Sequence, residues 1–175
     1  MATGLQDLIP LDAPRRLAAM LREVWPQFPA RAFVTRVEPG FSGLGLMDRG
    51  RRIADALQAH LPNDFPTAAR ILVDAMGPPK GVGTQGEPLG VPGGPRGFFY
   101  LPHSMWLAQA GLDHLDEALA AQHALTQRFT AEFSLRPYLA RDPKAVLQRL
   151  AAWARDDSAH VRRAASEATR PRLPW

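Results

Sequence analysis

Two carboxylates stand in surroundings that solubility alone does not explain. Glu132 lies in Arg128-Phe-Thr-Ala-Glu-Phe-Ser-Leu-Arg-Pro-Tyr138, four residues after one arginine and four before another. Phe129 and Phe133 flank it, so part of this segment is expected to be buried. Glu167 follows Arg163 by four, and the chain then runs through an Arg170-Pro-Arg172 strap to Trp175. Each glutamate also has a plain reading, an ordinary i,i+4 ion pair contributing about 0.2–0.5 kcal/mol on a helix surface. A carboxylate withdrawn from water could instead stabilise a developing cation. Arginines beside a terminal tryptophan suit a polyanion that carries planar bases. Trp25, Trp106 and Trp153 sit among apolar neighbours and are expected in the core, which leaves Trp175 as the one placed at a ligand. His103, in Leu-Pro-His-Ser, could act as a base, but reads better as a helix N-terminal residue pinned by the loop before it.

Charge distribution sharpens this reading. The 175-residue chain carries a net charge of +4. From Arg128 to Trp175 there are ten basic and five acidic residues, a balance of +5, so the preceding 127 residues sum to −1. Nineteen of the 21 basic residues are arginine, the side chain that forks onto phosphate. A basic tail on a nearly neutral body is the footprint of nucleic-acid contact, with a solvated helix face as the alternative. The absence of cysteine excludes disulfides and thiolate metal sites and suits a reducing cytoplasm. The five histidines share no metal-binding spacing, so no metal and no cofactor are expected. No apolar run approaches a membrane span, and the N-terminus lacks a signal pattern.

The elements that must position these residues read as helices almost throughout. The spacing predicts helices over Pro14 to Pro26, Ala30–Val37, Leu46–His60 and Asp64–Ala75, the third turning Met47, Ile53, Ala54 and Leu57 inward. Further helices are predicted over His103–Ala110, Leu115–Phe129, Ala131–Leu139, Pro143–Arg155 and Ser158–Ala168. Gly77 to Gly97 is dense in glycine and proline and reads as a loop. Gly97-Phe-Phe-Tyr-Leu101 is the one short strand candidate. Asp142-Pro143 followed by a helix, then Asp156-Asp157-Ser158 followed by another, makes the clearest repeat. Paired helices with short turns predict an all-α fold, an α-solenoid of HEAT-like repeats (an armadillo-like superhelix). A globular helical bundle fits less well. One domain over 1–175 is expected, with N-terminal helices over 1–76, the Gly/Pro-rich loop over 77–102, and HEAT-like helices with a basic, DNA-facing end over 103–175.

Leu125-Thr-Gln-Arg-Phe-Thr-Ala-Glu-Phe-Ser-Leu-Arg-Pro-Tyr-Leu139 strongly resembles a signature helix of the AlkC-type branch of the HEAT-like-repeat alkylpurine DNA glycosylases. His160-Val-Arg-Arg-Ala-Ala-Ser-Glu-Ala-Thr-Arg-Pro-Arg-Leu-Pro-Trp175 resembles that branch's second signature, with Ala168 where a glycine is usual. Phe98 to His103 and Leu46 to Leu57 match more weakly. The likeness extends over nearly the whole chain, the Gly/Pro-rich loop being least alike.

The resemblance implies a bacterial DNA-repair glycosylase that hydrolyses the N-glycosidic bond of N3-alkylated, cationic bases in duplex DNA. It implies Glu132 and Glu167 as the catalytic carboxylates, and Arg163, Arg170, Arg172 and Trp175 as DNA-binding residues. Arg163 would contact the backbone at the lesion or orient Glu167, and Trp175 would pack on the nucleotide. The family works without flipping the base into a pocket, unlike most base-modifying enzymes. Its members continue further and supply another catalytic acid there, so this chain is expected to be an N-terminal part, truncated at its C-terminus. The expected partner is double-stranded DNA containing alkylated bases, with no membrane and no obligate protein partner. The expected place is the cytoplasm, at the nucleoid when in use. The alternatives are a non-catalytic DNA-binding member of the fold and a protein-interaction solenoid.

Overall fold

The computed structural model of the protein describes residues 4–77, 79 and 94–171. Among them are nine α-helices and no strand. They are α1 (Ala13–Val24), α2 (Ala30–Val37), α3 (Leu46–His60), α4 (Phe65–Ala75), α5 (Leu101–Ala110), α6 (Leu115–Thr126), α7 (Glu132–Arg141), α8 (Pro143–Trp153) and α9 (Ala159–Ala168).

Local chemistry sets these boundaries. Pro14, Pro66, Pro102 and Pro143 each occupy a first-turn position, where a missing N–H costs nothing. Asp64 and Asp142 cap α4 and α8 by accepting from the backbone N–H of Thr67 and Ala145, each at 3.0 Å. Gly77, at φ 69°, turns the chain after α4 through the left-handed region that favours glycine.

The helices stack in layers. One row runs α3 on α5, α5 on α7 and α7 on α9; the other runs α1 on α4 and α4 on α6. α6 joins the rows by packing on α5, α7 and α9, while α8 closes against α7 and α9. The all-helical solenoid expected from the sequence is therefore present. A continuous apolar core runs through it, from Leu17, Leu21 and Phe33 through Leu57, Leu72 and Leu107 to Leu135, Val146 and Val161. Trp106 and Trp153 are buried in it and Trp25 packs against it, as expected. Gly111 is needed where α5 passes α7: a Cβ there would lie 2.4 Å from the Phe65 ring and 2.7 Å from the Tyr138 hydroxyl.

Three expectations need correction. The strand candidate is instead part of a 3₁₀ helix over Gly94–Tyr100, which leads directly into α5. Phe98 and Phe99 pack on the core from this turn, so the apolar run is buried without a partner strand. α6 stops at Thr126, three residues short, because the chain must turn before α7. Met47 is 49% exposed rather than inward; with Leu5, Phe98, Met105 and Phe133 it borders an open apolar cavity of about 480 Å³. Most of the expected Gly77 to Gly97 loop lies outside the described residues.

Candidate functional site

α7 begins at Glu132, and this start is buried. Ala131, Glu132, Ser134 and Leu135 are all inaccessible, and Glu132 itself is only 2% exposed. The first turn of a helix presents unpaired N–H groups and the positive end of the dipole, which favours a carboxylate there. Its own backbone N–H favours the charged form of Glu132, yet the Oε2 atom has no partner among the described residues. Burial outweighs the favourable contacts and raises its pKa above the ordinary glutamate value. The Arg163 charge acts in the opposite direction and the Glu167 charge adds to the rise, so both groups from α9 lie within electrostatic reach.

Neither arginine at four-residue spacing pairs with Glu132. Arg128 falls in the turn between α6 and α7, and its guanidinium donates to the carbonyls of Ala124 (2.6 Å) and Gly77 (2.9 Å from Nε). Arg136 donates to the carbonyls of Arg170 (3.0 Å) and Pro171 (3.4 Å). The ion-pair explanation of Glu132 therefore fails.

For Glu167 the i,i+4 pair does form. Arg163 Nη2 donates to Glu167 Oε2 at 2.9 Å, and the two side chains are only 19% and 18% exposed. Arg170 approaches the other oxygen, Oε1, at 3.9 Å. α7 and α9 pack together, and Glu132, Arg163 and Glu167 meet at that junction. Arg163 thus has the geometry of an orienting partner for Glu167. Arg172 and Trp175 lie outside the described residues.

His103 is no base. It sits on α5 with no exposed surface, its ring edge-on to Tyr100 at 5.1 Å, and neither ring nitrogen has a partner among the described residues. Burial pushes its pKa down to about 3, so the ring stays neutral and sealed from any substrate.

The support beneath Glu132 has no signal in the sequence. Ser134 Oγ lies 2.7 Å from Gln122 Oε1 and 3.1 Å from the Ala131 carbonyl, all three residues being buried. One hydroxyl proton cannot serve two acceptors, and Gln122 Nε2 is otherwise unpartnered among the described residues. Both contacts are satisfied when the Gln122 amide presents Nε2 to Ser134 and the hydroxyl donates to Ala131. This chain of contacts ties α6 to Ala131, the residue immediately before α7. His160, one turn before Arg163 on α9, also has a buried Nδ1 without a partner among the described residues, and burial followed by the Arg163 charge lowers its pKa. Among the described residues no cluster of three or more His, Asp or Glu side chains could hold a metal, and no helix is long and apolar enough to cross a membrane.

No family model matches the chain. It is 32% identical over 172 residues to the uncharacterized protein YhaZ of Bacillus subtilis (strain 168), covering 98% of this chain and 44% of that protein. Its fold matches Pseudomonas fluorescens alkylpurine DNA glycosylase AlkC, in a structure bound to DNA containing an abasic site analog. That match has a TM-score of 0.81 and 30% identity, over 100% of this chain and 45% of that one. The chain spans less than half the length of either protein. The resemblance to the AlkC branch holds in three dimensions along the whole of this chain.

Proposed function

We propose that this chain is part of a DNA glycosylase that releases N3-alkylated bases from duplex DNA, with Glu132 and Glu167 as the carboxylates facing the lesion. The observation that carries this reading is Glu132, a buried carboxylate with an unpartnered oxygen at the junction of α7 and α9. A charge so poorly solvated is costly for the folded protein, and the ligand that relieves the cost is a cation. Alkylation at N3 of adenine makes the base cationic, and cleavage of its bond to the sugar moves positive charge onto the sugar ring. A fixed carboxylate beside that ring is worth most in the transition state, where the sugar charge is largest. The base leaves neutral, so no acid is required to protonate it. Water attacks the sugar carbon and gives up a proton, which a carboxylate can accept.

The two glutamates divide these tasks unequally. Glu132 has no ion pair among the described residues, so its charge is available to the substrate. Glu167 is held by Arg163 and approached by Arg170. It suits a positioned water acceptor or a second, weaker electrostatic contribution. Arg163, Arg170, Arg172 and Trp175 serve as the DNA-contacting group, with phosphates meeting the arginines.

The test is single-turnover release of 3-methyladenine by the full-length protein, with protein in excess so that product release does not limit the rate. Glu132→Gln and Glu167→Gln should each slow release far more than they weaken binding to lesion-bearing duplex. Release at the parent rate by both variants would leave the two glutamates as structural residues. Tight binding to lesion DNA with no base release by the parent would favour a non-catalytic DNA-binding protein of this fold.

A further inference from the structure

We propose that the open groove between α1 and α2 is a second phosphate-binding surface, which holds the backbone of duplex DNA away from the carboxylate site. The proposal rests on the reading that DNA is the partner. The groove is a shallow, wide-open depression of about 860 Å³, lined by Arg22, Arg31, Arg36, His60, Phe28 and Thr35 among others, with no acidic residue in its wall.

What sets this groove apart is that its arginines are unused. Arg22, Arg31 and Arg36 are exposed and make no salt bridge or side-chain hydrogen bond among the described residues. Arg155 is the other arginine with a described side chain in that condition. The rest are engaged: Arg15 with Glu38, Arg16 with Asp12, Arg51 with Asp48, Arg70 with Asp74, Arg141 with Asp113, Arg149 with Asp116, Arg163 and Arg170 with Glu167, and Arg49, Arg52, Arg128, Arg136 and Arg162 with backbone carbonyls. The nearby Glu38 is already taken at 2.7 Å by Arg15, on the far turns of α1 from Arg22. A surface of one charge sign raises the local concentration of anions beside it.

One further feature suits phosphate. The first turn of α2 enters the groove through Ala30, Arg31 and Ala32; the Ala30 N–H donates to the Phe28 carbonyl at 2.7 Å, and the N-cap, Pro29, offers no side-chain acceptor to the N–H groups of Arg31 and Ala32. Three forked cations on one surface match successive phosphates of a strand better than a single ion.

This surface is distinct from the α7–α9 junction. Leu46, the first residue of α3, borders the same cavity as Phe129 and Phe133 on either side of Glu132. His60 is the last residue of α3, and a 15-residue helix is roughly 22 Å long. The groove therefore lies at the opposite edge of the helix row. DNA held there would be held at a distance from the reacting nucleotide.

The experiment measures binding of the full-length protein to an undamaged duplex over a salt series. One variant replaces Arg22, Arg31 and Arg36 with glutamine; a control replaces Arg51, Arg70 and Arg149 with glutamine and removes the same net charge. Each phosphate contact contributes about 0.9 to the logarithmic salt slope, so the groove variant should lose about two to three units of slope. The control should lose less than about one. Arg→Lys at the three groove positions should keep most of the slope, which shows that charge in the groove, rather than an altered fold, is being read. Equal losses in the groove and control variants, or no loss in either, overturn the proposal. Base release from a saturated lesion complex is scored separately: its absence in the parent refutes the glycosylase reading, while the slopes alone decide the groove.

Discussion

Glu132 at the start of α7 and Glu167 at the end of α9 look alike in sequence, each four residues after an arginine, yet they meet opposite fates. Arg163 and Glu167 share one helix, so the spacing brings them together at 2.9 Å. Arg128 and Glu132 do not, because the chain leaves α6 at Thr126 and re-enters a helix only at Glu132. The intervening turn sends Arg128 to the carbonyls of Ala124 and Gly77. Four-residue spacing makes an ion pair only inside an unbroken helix and only with an uncommitted guanidinium: Arg136 shares α7 with Glu132 but donates to the carbonyls of Arg170 and Pro171 instead. The outcome is one carboxylate neutralised near the surface and another stranded in the interior, and a stranded charge is what a cationic substrate can use.

The largest expected effect breaks this asymmetry at its functional end. Glu132→Gln should slow single-turnover base release on the order of 10²–10³, the usual loss when a preorganised charge-stabilising group is removed. Glu167→Gln should cost about tenfold less, since Arg163 and Arg170 already offset its charge. Equal rate losses for the two would show that the buried, unpaired state of Glu132 has no catalytic value.

Next comes the arginine that fails to pair. Arg128→Met should lower the unfolding free energy by about 2–3 kcal/mol, because the charge-assisted bonds of a buried guanidinium are lost. It should leave the Glu132 titration, followed by carbon-13 NMR of the side-chain carboxyl, where it was. A large change in that titration would mean that Arg128 does act on Glu132. Arg163→Gln is the converse case. Removing the cation that lowers the Glu132 pKa should push it further up, and the pH profile of base release should move to higher pH. An unmoved profile would separate Arg163 from Glu132.

Much of the fold is legible because proline and aspartate punctuate it. Pro14, Pro26, Pro62, Asp64 and the Asp142-Pro143 pair mark most helix ends to within a few residues. The misreadings share a cause: local pattern does not report what a third element will cover. Phe98 and Phe99 alternate with nothing, and they are buried by helices rather than by a sheet. Met47 lies on an apolar stripe, but at the mouth of a cavity. In the candidate site, the glutamates and Arg163 could be named from their motif, whereas the burial of Glu132 depends on α9 packing over α7. The Gln122–Ser134 link joins residues twelve apart, in separate helices, and no spacing rule predicts it.

The smallest expected effect concerns stability and has the opposite sign to the catalytic one. The unfolded chain ionises Glu132 near the ordinary glutamate value of 4.5, while burial holds the folded-state pKa above it. Below that ordinary value both states are protonated, and the carboxyl imposes no charge penalty. As pH rises from there to the folded-state pKa, the unfolded state loses its proton first and folding must recapture one, so stability falls through this window. Above it the penalty is constant, because folding then buries a charged group. Glu132→Gln removes the titration and keeps the shape. Its melting temperature should match the parent near about pH 4 and exceed it at about pH 7–8, by a stability difference on the order of 1 kcal/mol, the common size of a single buried substitution. Gln122→Leu and Arg51→Gln, measured in parallel, should show no such pH-dependent gain. If Glu132→Gln proved less stable than the parent under alkaline conditions, the charge would have to be solvated or paired in the folded protein, and the contrast between the start of α7 and the end of α9 would collapse. A gain in stability together with a loss in rate would identify Glu132 as a residue held at a cost to the fold for the chemistry it does.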